Sequence, residues 1–364
     1  MTIHPLAGHR DLRRKLSAAL AADHLPQLLL LSGPAGVGKQ RLALWLGQLA
    51  LCTAPTASEP CGTCASCRMA LELSHPDLHW FFPLPRPKAG EPDKQMAELE
   101  ESQAGALADR RANPLYGRPD GMSGHFMATA QLVARRASLT PAVSRRKVII
   151  LGEAERLVPQ AANPEAANAL LKLFEEPPAD TLIVLTAQDL SAILPTIVSR
   201  AVPLRVAPLP DAEVREFLKT SLTPTPGPAD LDARVARAGG AIGRAVDPSD
   251  DAARSRAAAD ELLAAVRRGP GARLERALAQ GAFAARGDFT ELLDALAERM
   301  LETARERLGH PAPVGGLPAA LERTDAAGAV HALERIRQAR EAAQGNVNPQ
   351  LILASLTAEL AGAL

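Results

Sequence analysis

Apolar residues in the first half of the chain come in short unbroken runs separated by amphipathic stretches. Residues 27–32, 147–151 and 181–186 are runs rich in Leu, Ile and Val, with few polar positions. Continuous apolar runs of this length are typical of parallel strands that are buried on both faces of a sheet. Apolar residues recur at helical spacing over 39–51 and 165–176. This alternation of strands and helices predicts an α/β domain built on a parallel sheet.

Beyond Pro208 the pattern is typical of helices alone. Asp211 is interpreted as the N-cap of a helix that runs to about Thr220, and the Pro-rich segment 223–230 is predicted to be a loop. From 230 to 364, Ala, Leu, Arg and Glu recur at helical spacing without a strand pattern. The predicted domains are 1–208, a helical lid at 209–248 and a helical C-terminal domain at 249–364.

Residues 83–125 interrupt the first domain. Pro, Gly and charged residues dominate this segment, with one predicted helix near 92–111. Such a composition predicts an insertion at the surface. Aromatic residues flank or enter it at Trp80, Tyr116 and Phe126. Two interpretations stay open: a loop exposed for a binding partner, or a decoration folded onto its own domain, of which the second is favoured.

A glycine-rich loop links the first buried strand to the helix that follows it. Its sequence, GPAGVGKQ beginning at Gly33, matches the P-loop pattern G-x-x-x-x-G-K-[ST] at every fixed position except the last. Gly33, Gly36 and Gly38 allow backbone N–H groups to converge on an anion at a helix N-terminus, and Lys39 would reach the outer phosphates. Two interpretations stay open: the loop binds the phosphates of ATP, or it is a relic that only caps the helix.

The residues that would hold a metal ion beside this loop are replaced. Gln40 stands where the P-loop pattern places a hydroxyl that binds Mg²⁺. The strand 147–151 leads into Gly152-Glu153, where nucleotide hydrolases usually place Asp-Glu. Phosphoryl transfer needs Mg²⁺ to neutralise the charge that develops on the phosphates. We therefore expect that the isolated chain hydrolyses no ATP.

All four cysteines of the chain lie within one short segment. Cys61, Cys64 and Cys67 are each separated by two residues, and Cys52 lies a short loop before them. Four thiolates at such spacing form the closed tetrahedral shell of a structural Zn²⁺ site. The alternative is four unrelated buried thiols. His75 and His79 follow closely, but a full shell does not need them.

Composition restricts the class of protein further. The 364 residues are enough for two or three domains, and 41 Lys+Arg against 41 Asp+Glu give no net field that attracts nucleic acid. No apolar run of about 18 residues and no signal-peptide pattern occur, so we expect a cytoplasmic protein without a membrane contact. The basic clusters at 135–136 and 145–147 are interpreted as solvated ends of a helix and a strand, with contact to DNA phosphates as the alternative.

Several short motifs carry a resemblance to one known family. They are ANALLK at 167–172, EEPP at 175–178, LPTIVSR at 194–200, GGAIGRA at 239–245 and NPQL at 348–351. Together with the P-loop and the cysteines, they resemble the delta-prime family of bacterial DNA polymerase III clamp-loader subunits, members of the AAA+ class. The resemblance spans nearly the whole chain. Departures from the family pattern are Gln40, Gly152, Ala201 in place of Cys, and the length of 83–125.

The resemblance implies a fold and a set of partners. The expected fold is an α/β, AAA+ P-loop parallel sheet domain with a zinc module, followed by a small helical lid and an all-α C-terminal collar domain. The expected partners are the delta and gamma/tau clamp-loader subunits, the sliding clamp, and primed DNA reached through the complex.

The resemblance also implies roles for single residues. Arg200, in the pair Ser199-Arg200, matches the arginine finger that clamp-loader subunits extend to the ATP of a neighbouring subunit. Arginine suits this role because its planar fork stays charged and grips phosphate oxygens bidentately. The alternative is an ordinary surface arginine. Thr186 and Arg244 match the two sensor positions of AAA+ proteins, and structural roles are favoured for both.

The expected function is to help load the sliding clamp onto primed DNA, as a subunit of the polymerase holoenzyme that supplies Arg200 in trans and has no catalysis of its own. Two other classes of protein fit the sequence less well. An active gamma/tau-type clamp-loader ATPase would keep both metal-binding residues, which Gln40 and Gly152 replace. A zinc-containing nucleotide kinase would be a short chain without the long helical C-terminal third.

Overall fold

A computed structural model describes most of the chain. The described residues are 3–56, 58–113, 123–157, 165–188, 190–222, 225–246, 251–281, 288–310, 316–344 and 347–364. The chain divides into two compact units, one of residues 1–159 and 163–247 and the other of residues 160–162 and 248–364.

A five-stranded parallel sheet forms the centre of the first unit. The seven strands described in this unit are β1 Leu28–Ser32, β2 Leu78–Phe81, β3 Leu84–Pro85, β4 Ser123–Gly124, β5 Lys147–Leu151, β6 Thr181–Ala187 and β7 Val202–Arg205. The sheet has the order β2-β5-β6-β1-β7 with parallel pairs throughout, while β3 and β4 form a separate antiparallel pair. The three central strands β5, β6 and β1 are buried at every position, which confirms the predicted parallel α/β sheet.

Fifteen α-helices occur among the described residues. In the first unit they are α1 Arg10–Ala21, α2 Lys39–Leu51, α3 Ala65–Leu71, α4 Pro92–Ala112, α5 Met127–Ser138, α6 Glu165–Glu175, α7 Pro195–Val198, α8 Asp211–Ser221, α9 Pro228–Ala238 and α10 Ile242–Val246. In the second unit they are α11 Asp251–Arg268, α12 Pro270–Leu278, α13 Asp288–Arg307, α14 Ala326–Gln344 and α15 Pro349–Ala363.

Helices α8, α9 and α10 surround a small apolar core of their own within the first unit, which includes Val214 and Leu231. Two details differ from the sequence predictions. The N-cap of α8 is Pro210 and not Asp211, which is the first helical residue and places its carboxylate in the turn that the helix dipole favours. Helix α9 begins at Pro228, inside the predicted loop, because the fixed φ of proline suits a first helical position.

The insertion packs on the domain that carries it. Arg136 of α5 donates to Glu100 of α4 at 2.8 Å. The Arg110 guanidinium carbon lies 3.3 Å from the centre of the Phe82 ring and 4.8 Å from that of Trp80. A cation buried on two aromatic faces fixes α4 along the edge of the sheet at β2. Tyr116 lies outside the described residues.

The second unit is all-α in its described part. Its core consists mainly of Leu and Ala side chains, with Phe289 as its aromatic residue, in keeping with the low aromatic content. Arg299 is nearly buried and donates both to Asp260 of α11 and to Glu302 of α13. Among the described helices of the whole chain, none is long and apolar enough to cross a membrane.

Candidate functional site

The P-loop connects β1 to α2, as predicted, and its lysine is turned back onto the loop. Lys39 Nζ donates to the carbonyl oxygens of Gly33 at 2.7 Å and Pro34 at 2.8 Å. The Lys39 side chain is buried, so its charge is satisfied by the loop that would cradle phosphate. An incoming phosphate would have to replace both carbonyl contacts.

Helix α10, which lies in the predicted lid, contacts the same loop through its backbone. Gly243 of α10 donates its N–H to the carbonyl oxygen of Gly36 at 2.9 Å. Gly36 has a φ of 76°, and a Cβ atom there would lie 3.0 Å from the backbone nitrogen of Arg244. Glycine at 36 thus serves a close approach between loop and lid as well as the turn itself. Arg244, the predicted second sensor, is exposed on this helix.

The Gln40 side chain fills the space beside Gly152. Its Oε1 accepts a hydrogen bond from Trp80 Nε1 at 3.2 Å. A Cβ atom added to Gly152 would lie 2.9 Å from both Cδ and Oε1 of Gln40. The two positions where the sequence lacks metal ligands therefore face each other, and the Gln40 amide occupies the space that an acidic side chain at 152 would need.

The residues that follow Gly152 are joined to the end of β6. Glu153 donates its backbone N–H to Thr186 Oγ1 at 3.1 Å, and its carboxylate pairs with Arg156 at 2.9 Å. Gln188 donates its N–H to Glu155 Oε1 at 3.2 Å. Burial raises the pKa of Glu155. Thr186, the predicted first sensor, accepts this hydrogen bond through its hydroxyl oxygen.

His125 belongs to this site but has no sequence signal. Its ring is fully buried, and Nε2 lies 2.7 Å from the Gly152 carbonyl oxygen. Burial lowers the pKa of His125 to about 4, so the ring is neutral near pH 7 and Nε2–H donates to that carbonyl. A single histidine at the end of an irregular insertion gives no pattern from which this contact can be inferred.

We expect Gly152→Asp alone to lower the free energy of unfolding by about 1–3 kcal/mol, because the new side chain overlaps a glutamine that Trp80 holds in place. Gln40→Ser vacates that space, so the double variant should regain most of this loss. Urea unfolding of the wild type, both single variants and the double variant measures the coupling. Additive effects of the two substitutions would show that the two side chains do not compete for one space.

The four cysteines meet at one point of the first unit. Their sulfur atoms lie within 4.8 Å of one another, with Cys61 Sγ 3.9 Å from Cys67 Sγ and Cys64 Sγ 4.0 Å from Cys52 Sγ. A tetrahedral Zn²⁺ with Zn–S bonds of about 2.3 Å requires sulfurs roughly 3.8 Å apart. The donor set and its dimensions therefore fit a structural Zn²⁺, and neither His75 nor His79 is part of it.

Local hydrogen bonds prepare this cluster for a cation. Backbone N–H groups of Cys61, Cys64 and Cys67 point at the sulfurs of Cys52, Cys61 and Cys64 respectively. Burial opposes ionisation of Cys64, but N–H donors from Thr53 and Cys67 outweigh it and lower the pKa of this thiol to about 6. Burial raises the pKa of Cys67, which lies deepest.

The cysteine module is docked onto the P-loop helix. Glu59, in the loop between Cys52 and Cys61, accepts hydrogen bonds from Arg13 of α1 and from Trp45 Nε1 of α2, the latter at 2.8 Å. The Arg13 guanidinium lies over the Trp45 ring at 5.2 Å. Order in the cysteine loop thus extends to the helix that begins at Lys39.

Arg200 lies apart from the P-loop residues, just before β7. It follows α7 and is exposed at the surface of the first unit. Its guanidinium donates to Glu175 and to the carbonyl oxygen of Thr196. The structure therefore brings together Lys39, Gln40 and Gly152, and separately the four cysteines, while it leaves Arg200 accessible to another molecule.

Most members of the two basic clusters are engaged within the chain. Arg136 pairs with Glu100 at 2.8 Å, and Arg146 lies 3.6 Å from Asp23. Lys147 is buried and pairs with Asp180 at 3.2 Å. These contacts agree with the interpretation of the clusters as ends of a helix and a strand.

The fold and the loop define the class of this protein. A parallel sheet whose inner strand β1 leads through a glycine-rich loop into α2, followed by a helical lid, is the architecture of an AAA+ P-loop protein. Residues 8–210 match the sequence family described as DNA polymerase III, delta subunit. The chain belongs to this family.

Individual relatives agree with this assignment. The chain is 36% identical over 213 residues to the DNA polymerase III subunit delta' of Pseudomonas aeruginosa, covering 58% of this chain and 52% of that protein. It is 29% identical over 200 residues to the delta' subunit of Bacillus subtilis, covering 55% and 48%. The chain spans about half the length of the curated relatives it matches.

The chain has weak structural similarity to two proteins of Thermotoga maritima. A DNA polymerase III gamma subunit-related protein of Thermotoga maritima has a TM-score of 0.38 at 16% identity, over 94% of this chain and 97% of that one. The RuvB protein of Thermotoga maritima has a TM-score of 0.37 at 18% identity, over 86% and 82%.

Proposed function

We propose that this chain is the delta-prime subunit of a bacterial clamp loader. It helps to load the sliding clamp onto primed DNA, in a complex with delta and gamma/tau subunits. Within that complex it completes the ATP site of a neighbouring subunit with Arg200 and hydrolyses no ATP itself. Because bacterial DNA is replicated in the cytoplasm, the chain acts there.

The observation that carries this proposal is the contrast between the chain's own nucleotide site and its exposed arginine. Lys39 is bonded to its own loop, and the Gln40 amide fills the space beside Gly152. Mg²⁺ has no carboxylate or hydroxyl at these two positions, so the main source of charge neutralisation in phosphoryl transfer is missing. Arg200 by contrast lies at the surface, where the nucleotide of another subunit can approach.

The cysteine cluster supports Zn²⁺ as the resident metal. Four sulfurs form a closed shell, which leaves no open position for a substrate or a reactive water. The ion would therefore be structural, and it would hold the loop through which Glu59 contacts Trp45.

The second unit supports assembly with other subunits. Leu274 and Leu278 lie one turn apart on α12 and are 55% and 61% exposed. Leu351 of α15 is 65% exposed, and its neighbour Gln350 donates to the Leu278 carbonyl oxygen at 3.1 Å. We name these three leucines the collar strip. Exposed leucines on two helices joined in this way suit the helical C-terminal domain of a neighbouring clamp-loader subunit as their occupant.

Co-purification of the full chain with delta and gamma/tau subunits tests the assembly. We expect a stable complex with the wild type, and at least tenfold weaker association for Leu278→Asp, because a carboxylate would be buried in an apolar contact. Leu308→Asp is the matched control, since Leu308 is 71% exposed and lies outside the collar strip. If Leu278→Asp associated as tightly as Leu308→Asp and the wild type, the collar strip would not be part of the interface. The absence of a complex with the wild type would contradict the proposed function.

A further inference from the structure

The Arg200 guanidinium is held by acceptors of its own subunit. Nη2 donates to Oε1 of Glu175, the last residue of α6. Nη1 donates to the carbonyl oxygen of Thr196 at 2.7 Å and lies 3.5 Å from Ser199 Oγ. The Arg200 and Glu175 side chains are 31% and 46% exposed. The ion pair therefore lies where another molecule can reach it.

The last turn of α6 carries both an acidic residue, Glu175, and a basic one, Lys172. Glu175 ends α6, and Thr196 lies in α7 just before Arg200. The C-terminal end of a helix carries unpaired carbonyl oxygens and a partial negative charge, so an acidic residue at that place is unfavourable by itself. Glu176 adds a second exposed carboxylate one residue further on. The Arg200 cation offsets the charge of Glu175, which it contacts, and is partly neutralised by that carboxylate.

We propose that Glu175 is a positioning residue, a counter-ion that holds Arg200 until the phosphates of a nucleoside triphosphate on a neighbouring subunit displace it. This inference rests on the proposed function. Carboxylate and phosphate oxygens suit the same guanidinium fork, so both anions compete for it. The two Nη atoms that would grip the phosphates bidentately already donate to Thr196 and Glu175, so bidentate engagement of the phosphates requires that Arg200 leaves Glu175.

The strength of the pair sets the expected effect. Exposed ion pairs stabilise a geometry only weakly, by at most about fivefold in an equilibrium constant. Glu175 therefore acts as a weak latch, which the more highly charged triphosphate overcomes. The free energy needed to separate Arg200 from Glu175 raises the KM of the complex for ATP. The maximal rate stays unchanged, because Arg200 is engaged in the same way once Glu175 has let go.

The test is steady-state ATP hydrolysis by the full complex with sliding clamp and primed DNA. Glu175→Gln keeps the shape of the side chain but removes its charge, so we expect KM for ATP to fall by about two- to fivefold with kcat unchanged. Raising the salt concentration should shrink this difference between variant and wild type, because exposed charges are screened. Glu175→Ala should shift KM in the same direction.

Glu176→Gln is the matched control, since it removes the same charge one residue away from the Arg200 contact. It should leave KM within the error of the wild type. An unchanged or higher KM in both Glu175 variants, together with a strong defect in Arg200→Ala, would overturn the role of Glu175 and leave the proposed function intact. An Arg200→Ala complex of normal activity would instead overturn the finger itself. Thermal unfolding of each chain verifies that the variants are folded.

Discussion

Arg200→Ala is expected to lower the clamp- and DNA-stimulated ATPase of the reconstituted complex by about tenfold or more. An arginine supplied in trans stabilises the negative charge on the transferred phosphoryl group, and such residues contribute about 10³–10⁵ in kcat where they act alone. The expected loss is smaller than this range, because the sites that other subunits complete supply the residual rate. The measurement is steady-state phosphate release at saturating ATP.

Two variants separate the finger from a general effect of charge. Arg200→Lys keeps the positive charge but loses the planar fork, so we expect it to recover only a small part of the rate. Arg111→Ala removes an arginine of α4 in the insertion and should leave the rate unchanged. A complex with Arg200→Ala that retains the wild-type rate would contradict the proposed role in trans.

The same substitution should not affect the folding of this chain. Arg200 is exposed, and its partner Glu175 is also exposed, so their ion pair contributes little to the free energy of unfolding. Its own P-loop is closed by contacts that do not involve Arg200, namely Lys39 with Gly33 and Gly243 with Gly36. Activity and stability are therefore separable at this position, which makes the kinetic test clean.

The parts of this site that the sequence predicted are those with a local signal. The strand over 147–151 and the helix from Lys39 to Leu51 follow from unbroken apolar runs and helical spacing, and the structure has both at those bounds. The meeting of four cysteines follows from their spacing. Edge strands β2 and β7 have the mixed sequences LHWF and VPLR and face less of the core, so no apolar run marks them.

The remaining features depend on contacts between residues distant in sequence. Gln40 contacts Gly152 and Trp80 only once the sheet has assembled. Arg200 and Glu175 lie on opposite sides of β6 in the chain, and the fold brings them together. Local patterns do not encode such pairs, because each partner is compatible with many surroundings. The sequence alone shows that positions 40 and 152 lack metal-binding residue types. Only the structure shows that the Gln40 amide fills the space beside Gly152.

Removal of Zn²⁺ is expected to have the largest effect on stability. Structural Zn²⁺ contributes about 10–16 kcal/mol in small zinc-finger peptides, where the metal is the main source of folding energy. Here the sheet has its own large core, so the loss is confined mainly to the cysteine loop and α3. We expect one equivalent of zinc per chain by elemental analysis, and a melting temperature lowered by about 10 °C or more after chelation or in Cys64→Ser.

Trp45 provides a local signal for this loss, because its Nε1–H donates to Glu59 in the cysteine loop at 2.8 Å. Chelation should release that contact and change the tryptophan fluorescence before global unfolding. In Trp45→Phe only Trp80 remains, and the early change should disappear, since Trp80 lies against Arg110 and Gln40 instead. Ser58→Ala, in the same loop, should keep both zinc and the signal. Full folding and unchanged fluorescence without bound zinc would contradict a structural metal at these cysteines.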